Sequence, residues 1–221
     1  MNEDIRALAS ELLGEEDDVF AQNLNAFNIL MMQYQCAMLE VRTKLEVLNA
    51  ELSVQKARNP FESINSRLKT PRSIIDKLKR YGVEVSLESI EKNLHDVAGV
   101  RVICSFIDDI YMLADKLCSQ DDVRVVARKD YIQSPKPNGY RSLHLIIEVP
   151  IFLLNEKKYM QVEVQFRTIA MNFWASLEHK LKYKKNVKNA ENVVRQLKEC
   201  ADAITAVDMK MQKVREETEI D

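Results

Sequence analysis

The chain has 221 residues, 46% hydrophobic and 30% charged, with a formal net charge of −2. That size and balance suit one substantial domain with helical extensions and argue against wholesale nucleic-acid binding through excess positive charge. No apolar run approaches the roughly 18 residues of a membrane span, and the first residues are acidic where a signal peptide needs a basic region.

Residues 1–18 are rich in acid: Glu3, Asp4, Glu11, Glu15, Glu16, Asp17 and Asp18. From Phe20 the apolar residues recur at alternating four- and three-residue steps: Leu24, Phe27, Met31, Tyr34, Met38, Val41, Leu45, Leu48 and Leu52. This is a heptad seam on one long helix. Such a seam packs on a core, on another helix or at a subunit interface, and the spacing leaves these open. Residues 66–80 carry six basic side chains against one acid. Thr70-Pro71 reads as an N-cap with proline at the first helical position, and Gly82 as the stop. On that helix Ser73, Lys77 and Arg80 share one face, while Ile74, Leu78 and Tyr81 share another that can face a core. Arg67 and Lys69 lie just before its N-terminus. The set suits a polyphosphate; an ordinary solvated basic face is the plain alternative.

A second helix is expected from Ser86 to about Ala98, with Asp96 at its end. A strand follows at 101–107, opened by Arg101, then a helix near 109–119 and a strand near 123–131. PKPNGYRSLH (135–144) is a turn between strands that releases Tyr140, Arg141 and His144. LHLIIEV (143–149) reads as a strand. In QVEVQFR (161–167) alternation sends Val162, Val164 and Phe166 to one side and Gln161, Glu163, Gln165 and Arg167 to the other. That polar row is either a wet sheet face or the lining of a cleft. Residues 168–185 read as a helix with Asn172, Ser176 and His179 on one face, and with Trp174 and Leu177 toward the core. A second seam closes the chain: Leu197, Cys200, Ile204, Val207, Met211 and Val214. With no Pro/Gly-rich linker, the expectation is a single structural domain of α/β (α+β) class, a mixed sheet flanked by long N- and C-terminal helices.

Only four glycines exist, Gly14, Gly82, Gly99 and Gly139, and neither phosphate-cradling glycine motif is present. Bound phosphates must therefore be held by side chains. Asp96 and Glu163 could together hold Mg²⁺, since hard cations prefer carboxylate oxygens; Glu163 could also take a proton from a hydroxyl nucleophile. His95-Asp96 is similar to the metal-binding pair of phosphohydrolases, but with three histidines in all (His95, His144, His179) the partners for such a site are missing. Four scattered cysteines without a C-x-x-C pair read as free thiols in a reducing cytosol.

The stretches SRLKTPRSIIDKLKR, HDVAGVRVICSF, KDYIQSPKPNGYRSLHL and VEVQFRTIAMNFWASLEHKLKYK, in that order, resemble the synthetase domain of the RelA/SpoT family. More closely, they resemble its stand-alone RelP/RelQ small alarmone synthetases, with residues 101–183 most like RelP. The resemblance implies a nucleotidyltransferase-like synthetase core at 59–185, with an N-terminal helical extension at 1–58 and a C-terminal helix at 186–221. It implies Mg²⁺-dependent transfer of the β,γ-pyrophosphate of ATP to the 3′-hydroxyl of GDP or GTP, giving (p)ppGpp and AMP, without hydrolysis. By the same resemblance Arg67 and Arg101 sandwich adenine, and Lys69, Ser73, Lys77 and Arg80 hold the ATP phosphates. Asp96 and Glu163 bind Mg²⁺, with Glu163 as base. Tyr140 stacks on guanine beside Asn172 and His144, and Lys136 and Arg141 approach the acceptor phosphates. Gln165, Arg167, Glu178 and His179 match family motifs without a sharper role. A cytoplasmic homotetramer is implied, with no membrane association; nothing in the sequence supports a single-stranded RNA partner. The basic Ala127-Arg128-Lys129 replaces an acidic variant and leaves GDP-versus-GTP preference open. Two rivals stand beside this reading: pyrophosphorylation of a tRNA 3′ end, using Lys180, Lys182, Lys184, Lys185 and Lys188, and a non-catalytic helical oligomer that binds nucleotides or RNA.

Overall fold

The N-terminal seam folds as α1 (Asp17–Gln55), a single 39-residue helix. Phe27, Leu30, Tyr34, Ala37, Val41 and Leu45 are its buried apolar residues among those described, and the helix lies across four strands of the sheet. The seam thus serves the core. The protein is seen here in a computed structural model that describes residues 17–55, 58–182 and 190–218; the acidic residues up to 16 and Lys184, Lys185 and Lys188 lie outside the described residues.

After α1 come β1 (Phe61–Leu68), α2 (Pro71–Tyr81), α3 (Leu87–Asn93), β2 (Ala98–Cys104), α4 (Ile107–Cys118) and β3 (Arg124–Asp130). The chain ends with β4 (Leu143–Phe152), β5 (Lys157–Thr168), α5 (Ile169–Lys182) and α6 (Ala190–Thr218). The five strands make one mixed sheet in the order β1-β2-β5-β4-β3. Only β2 and β5 pair in parallel; the other three pairs are antiparallel. The α+β class expected from the sequence is the one found. On the covered face, Val100, Val102, Leu145, Ile147, Val162, Val164 and Phe166 form one cluster with α1, α4 and the apolar sides of α2 and α3. A smaller cluster of Trp174, Ala175, Leu197 and Ala201 joins α5 to α6, with Tyr140 packed against it.

The α2 boundaries follow the sequence signals. Thr70 accepts a hydrogen bond from the Ser73 amide at 3.3 Å, and Gly82 closes the helix at φ 69°. Several expectations change. Strand β1 was not expected; it is an edge strand whose polar sequence FESINSRL lacks a β-branched run. Helix α3 stops at Asn93, because Leu94 turns extended and is buried and the chain must reach the sheet by Ala98. Arg101 therefore sits mid-strand, and Asp96 lies in the connection between α3 and β2. Tyr81 and Leu177 are exposed instead of core, whereas Trp174 is buried as expected. On α6 the inward stripe runs Leu197, Ala201, the partly buried Ile204, and Asp208, so Cys200, Val207, Met211 and Val214 face outward.

Candidate active site

Strand alternation gives the uncovered face of the sheet two polar rows. In one, Arg67 lies opposite Gly99, and Gly99 opposite Glu163. In the next, Asn65, Arg101, Gln165, His144 and Lys129 are partners in turn. The polar row of β5 thus lines a cleft. That cleft, about 360 Å³, is lined by Arg67, Asp96, Gly99, Arg101, Glu163 and Gln165 among others. Gly99 has no side chain to fill the floor between Arg67 and Glu163. Burial lowers the Arg101 guanidinium pKa, as do the like charges of Arg167 and Arg67, yet an arginine stays protonated.

At one end, Lys69 from the β1–α2 connection and Lys77 from α2 converge on the connection before β2. Lys69 Nζ lies 2.6 Å and Lys77 Nζ 2.8 Å from the same oxygen, Asp96 Oδ2. Burial pushes the Asp96 carboxyl upward, but the two lysines outweigh it and hold it below the ordinary range. Its other oxygen, Oδ1, is buried with no hydrogen-bond partner among the described residues. Ser73 bonds the capping Thr70 hydroxyl at 2.9 Å, and Arg80 is exposed beside Tyr81. An orphaned carboxylate oxygen near a second carboxylate suits a hard divalent cation that takes its remaining ligands from water and phosphate. The residues present therefore fit Mg²⁺.

At the other end runs a continuous hydrogen-bonded chain. His144 Nδ1 is 3.0 Å from Glu163 Oε1, and Tyr140 Oη is 2.8 Å from His144 Nε2. Arg167 Nη2 donates to Tyr140 Oη and to Gln165 Oε1, both at 2.9 Å, and Gln165 Nε2 donates to Glu163 Oε2 at 2.7 Å. An ionised Glu163 only accepts, so His144 carries its proton on Nδ1, and Nε2 then accepts from the tyrosine. Burial pushes the Glu163 carboxyl up; His144 and Gln165 more than reverse this and leave it below the ordinary glutamate range. Arg167 is itself buried and also reaches Asn172 Oδ1 at 3.4 Å.

The 135–142 turn carries Tyr140 to this chain. Lys136 Nζ lies 4.5 Å from the ring centre of Tyr131 and 4.9 Å from that of Tyr140. Asn138 Nδ2 donates to Glu178 Oε1 at 3.1 Å, which gives the motif residue Glu178 a place: it holds the turn. His179 is exposed. Arg141 departs from expectation. It does not line the cleft; its guanidinium is directed to α6, 4.0 Å from Asp208. Sequence reasoning missed Tyr131, whose ring meets His144 edge-on at 5.3 Å. It also missed Asp208, whose signal was a lone acid in an apolar helical stripe.

The pattern described as "Region found in RelA / SpoT proteins" matches residues 66–188, which spans both ends of this cleft. The chain belongs to the RelA/SpoT family. Within that family it is 45% identical to the GTP pyrophosphokinase YwaC of Bacillus subtilis, over 86% of this chain and 90% of that one. It is 34% identical to YjbM of the same organism, over 86% of this chain and 88% of that one. Among solved structures it is similar to small alarmone synthetase 1 of B. subtilis bound to its product pppGpp. That match has a TM-score of 0.81 and 34% identity and covers 88% of this chain and 98% of that one. Small alarmone synthetase 2 of B. subtilis gives a TM-score of 0.78 and 44% identity over 86% and 98%. The chain thus lies with the small alarmone synthetases of the RelA/SpoT family, and the similarity includes α1 and the sheet.

Proposed function

We propose that the protein is a GTP/GDP pyrophosphokinase: it transfers the β,γ-pyrophosphate of ATP to the 3′-hydroxyl of GDP or GTP, giving (p)ppGpp and AMP. The observation that carries this reading is the chain Arg167–Tyr140–His144–Glu163, which joins a base candidate to an aromatic shelf on the same sheet face as Arg67 and Arg101. On this reading ATP lies over Arg67 and Arg101, whose planar guanidinium groups stack on adenine. Lys69, Ser73, Lys77 and Arg80 take its phosphates. Guanine stacks on Tyr140, with Asn172 beside it and Lys136 near its phosphates.

Glu163 takes the proton of the 3′-hydroxyl as the 3′-oxygen attacks the β-phosphorus. The bond from that phosphorus to the oxygen bridging it to the α-phosphorus breaks, and AMP leaves with the electron pair. His144 keeps Glu163 ionised and aimed, and Tyr140 and Arg167 fix the His144 ring. Catalysis here is mostly positioning and charge neutralisation. Mg²⁺ held by Asp96 and Glu163 would supply further neutralisation on the phosphates. The free cysteines fit a cytoplasmic enzyme, and among the described residues no helix is long and apolar enough to cross a membrane. A homotetramer belongs to the same reading. Exposed Ile169, Phe173, Val207 and Met211 rim an apolar groove between α5 and α6, a surface of the kind covered in assemblies.

The test is incubation with labelled ATP, Mg²⁺ and either GDP or GTP, with the 3′-pyrophosphorylated product resolved by chromatography. Label transfer by the wild type and its loss in Glu163→Gln are expected. Full product formation by Glu163→Gln would remove the base.

A further inference from the structure

The C-terminal helix α6 touches the acceptor end of the cleft from behind. Gly139 packs so closely on it that an added Cβ would stand 2.4 Å from Ala201 Cβ. Tyr140 leans on the Leu197–Ala201 cluster. Arg141, the next residue, turns its guanidinium toward the same helix further along and buries Nε and Nη1 without a hydrogen-bond partner among the described residues. The carboxylate facing it is Asp208, itself buried. Asp208 is anchored in turn: its Oδ2 accepts from Thr168 Oγ1 at 2.8 Å, and that hydroxyl oxygen accepts the Met171 amide at 3.1 Å. One charge pair therefore ties α6, the end of β5 and the start of α5 to the residue that follows Tyr140.

A buried ion pair of this kind is weak evidence for stability, since apolar side chains of similar volume often do as well. What the pair does here is fix a direction. Gly139, Tyr140 and Arg141 are consecutive, and all three rest on α6. A shift of Arg141 along or away from α6 carries the adjoining Tyr140 backbone with it and disturbs the 2.8 Å contact of its hydroxyl with His144. We propose that Asp208 is a positioning residue for the guanine nucleotide, acting through Arg141 to hold the turn that presents Tyr140. This rests on the acceptor-site reading of Tyr140 above. It also moves Arg141 from a phosphate ligand to a strut.

The test separates substrate from scaffold. Asp208→Asn keeps an oxygen for Thr168 and loses the charge. Calorimetric titration with GDP alone and with ATP alone should show GDP affinity reduced about tenfold and ATP affinity within about twofold of wild type. In a cycle with Arg141→Gln, the double variant should lose no more GDP affinity than the weaker-binding single variant, because both act through one contact. Asp208→Glu, which keeps the charge but displaces it by a methylene, reads the same contact should the asparagine variant not fold; it too should weaken GDP selectively. Equal losses for both nucleotides, an unchanged GDP affinity, or losses that multiply in the double variant would overturn the proposal. Turnover by the wild type, measured separately, tests the enzymatic reading. Binding involves no chemistry, so the two can fail independently.

Discussion

Glu163 is held between opposing pressures. Burial favours its neutral form, and two hydrogen bonds favour the charged one. The balance leaves a base that stays ionised below the usual glutamate range, so the acidic limb of kcat/KM, which reports the free enzyme, should lie low on the pH axis. His144→Gln removes the Nδ1 proton that favours the anion, so that limb should move to higher pH in a pH–rate profile. An unmoved limb would remove His144 from the mechanism. Glu163→Gln itself should lower kcat by about 10²–10⁴, measured at saturating ATP and GDP. The same sign governs stability. Asp96 and Glu163, both depressed, contribute stability above the ordinary carboxylate pKa and lose it as pH falls through their folded values.

The 135–142 turn depends on one residue for two separate reasons. Gly139 sits at φ 87°, where a side chain is strained, and its missing Cβ makes room for Ala201. Gly139→Ala should cost about 2 kcal/mol or more in urea unfolding, and should raise the KM for GDP above that for ATP. The turn itself was legible in Asn138-Gly139, because turn chemistry is local. The ends of α2 were legible for the same reason, through Thr70, Pro71 and Gly82. The polar and apolar sides of β5 were read correctly because alternation has a fixed period. The β1 strand was not legible: an edge strand draws its stability from pairing with β2, which its own polar sequence does not announce. The stripe on α6 was read one residue off, because Cys200, Val207, Met211 and Val214 keep helical spacing without being buried. The approach of Arg141 to Asp208 was not legible either. Composition names a cation, and only the fold says which side of the turn it takes.

As a whole the molecule is a sheet with one dry side and one wet side. Helix α1 covers the dry side with a seam the sequence displays in outline, Leu30 and Ala37 being buried beside it; the wet side brings together residues from β1, β2, β4 and β5 that are far apart in the chain. That juxtaposition could be anticipated only through the family resemblance, since no local pattern pairs Arg67 with Glu163 across Gly99. Gly99→Val should test the cleft floor: the strand tolerates the β-branched side chain, but the added volume should block ATP binding in a titration while circular dichroism stays native. The outward apolar row on α6 makes a second expectation at this scale. Val207→Glu with Met211→Glu should lower the molar mass measured by light scattering, as charges are costly in a covered apolar surface. An unchanged mass would place the subunit contact elsewhere.

The two lysines that share Asp96 Oδ2 have a consequence for timing. One carboxylate with two ammonium groups is a site of net positive charge, and a free divalent cation gains little there. The triphosphate of ATP is the partner that can draw both lysines away, and in doing so it uncovers the carboxylate. Metal and nucleotide should therefore arrive as one unit, with the protein indifferent to metal alone. Mn²⁺ followed by electron spin resonance should bind poorly without ATP, and Lys77→Met should strengthen that nucleotide-free binding. The arrangement makes the donor its own gatekeeper: until ATP is seated, one oxygen of Asp96 is engaged by both lysines and the charge of the carboxylate is already offset.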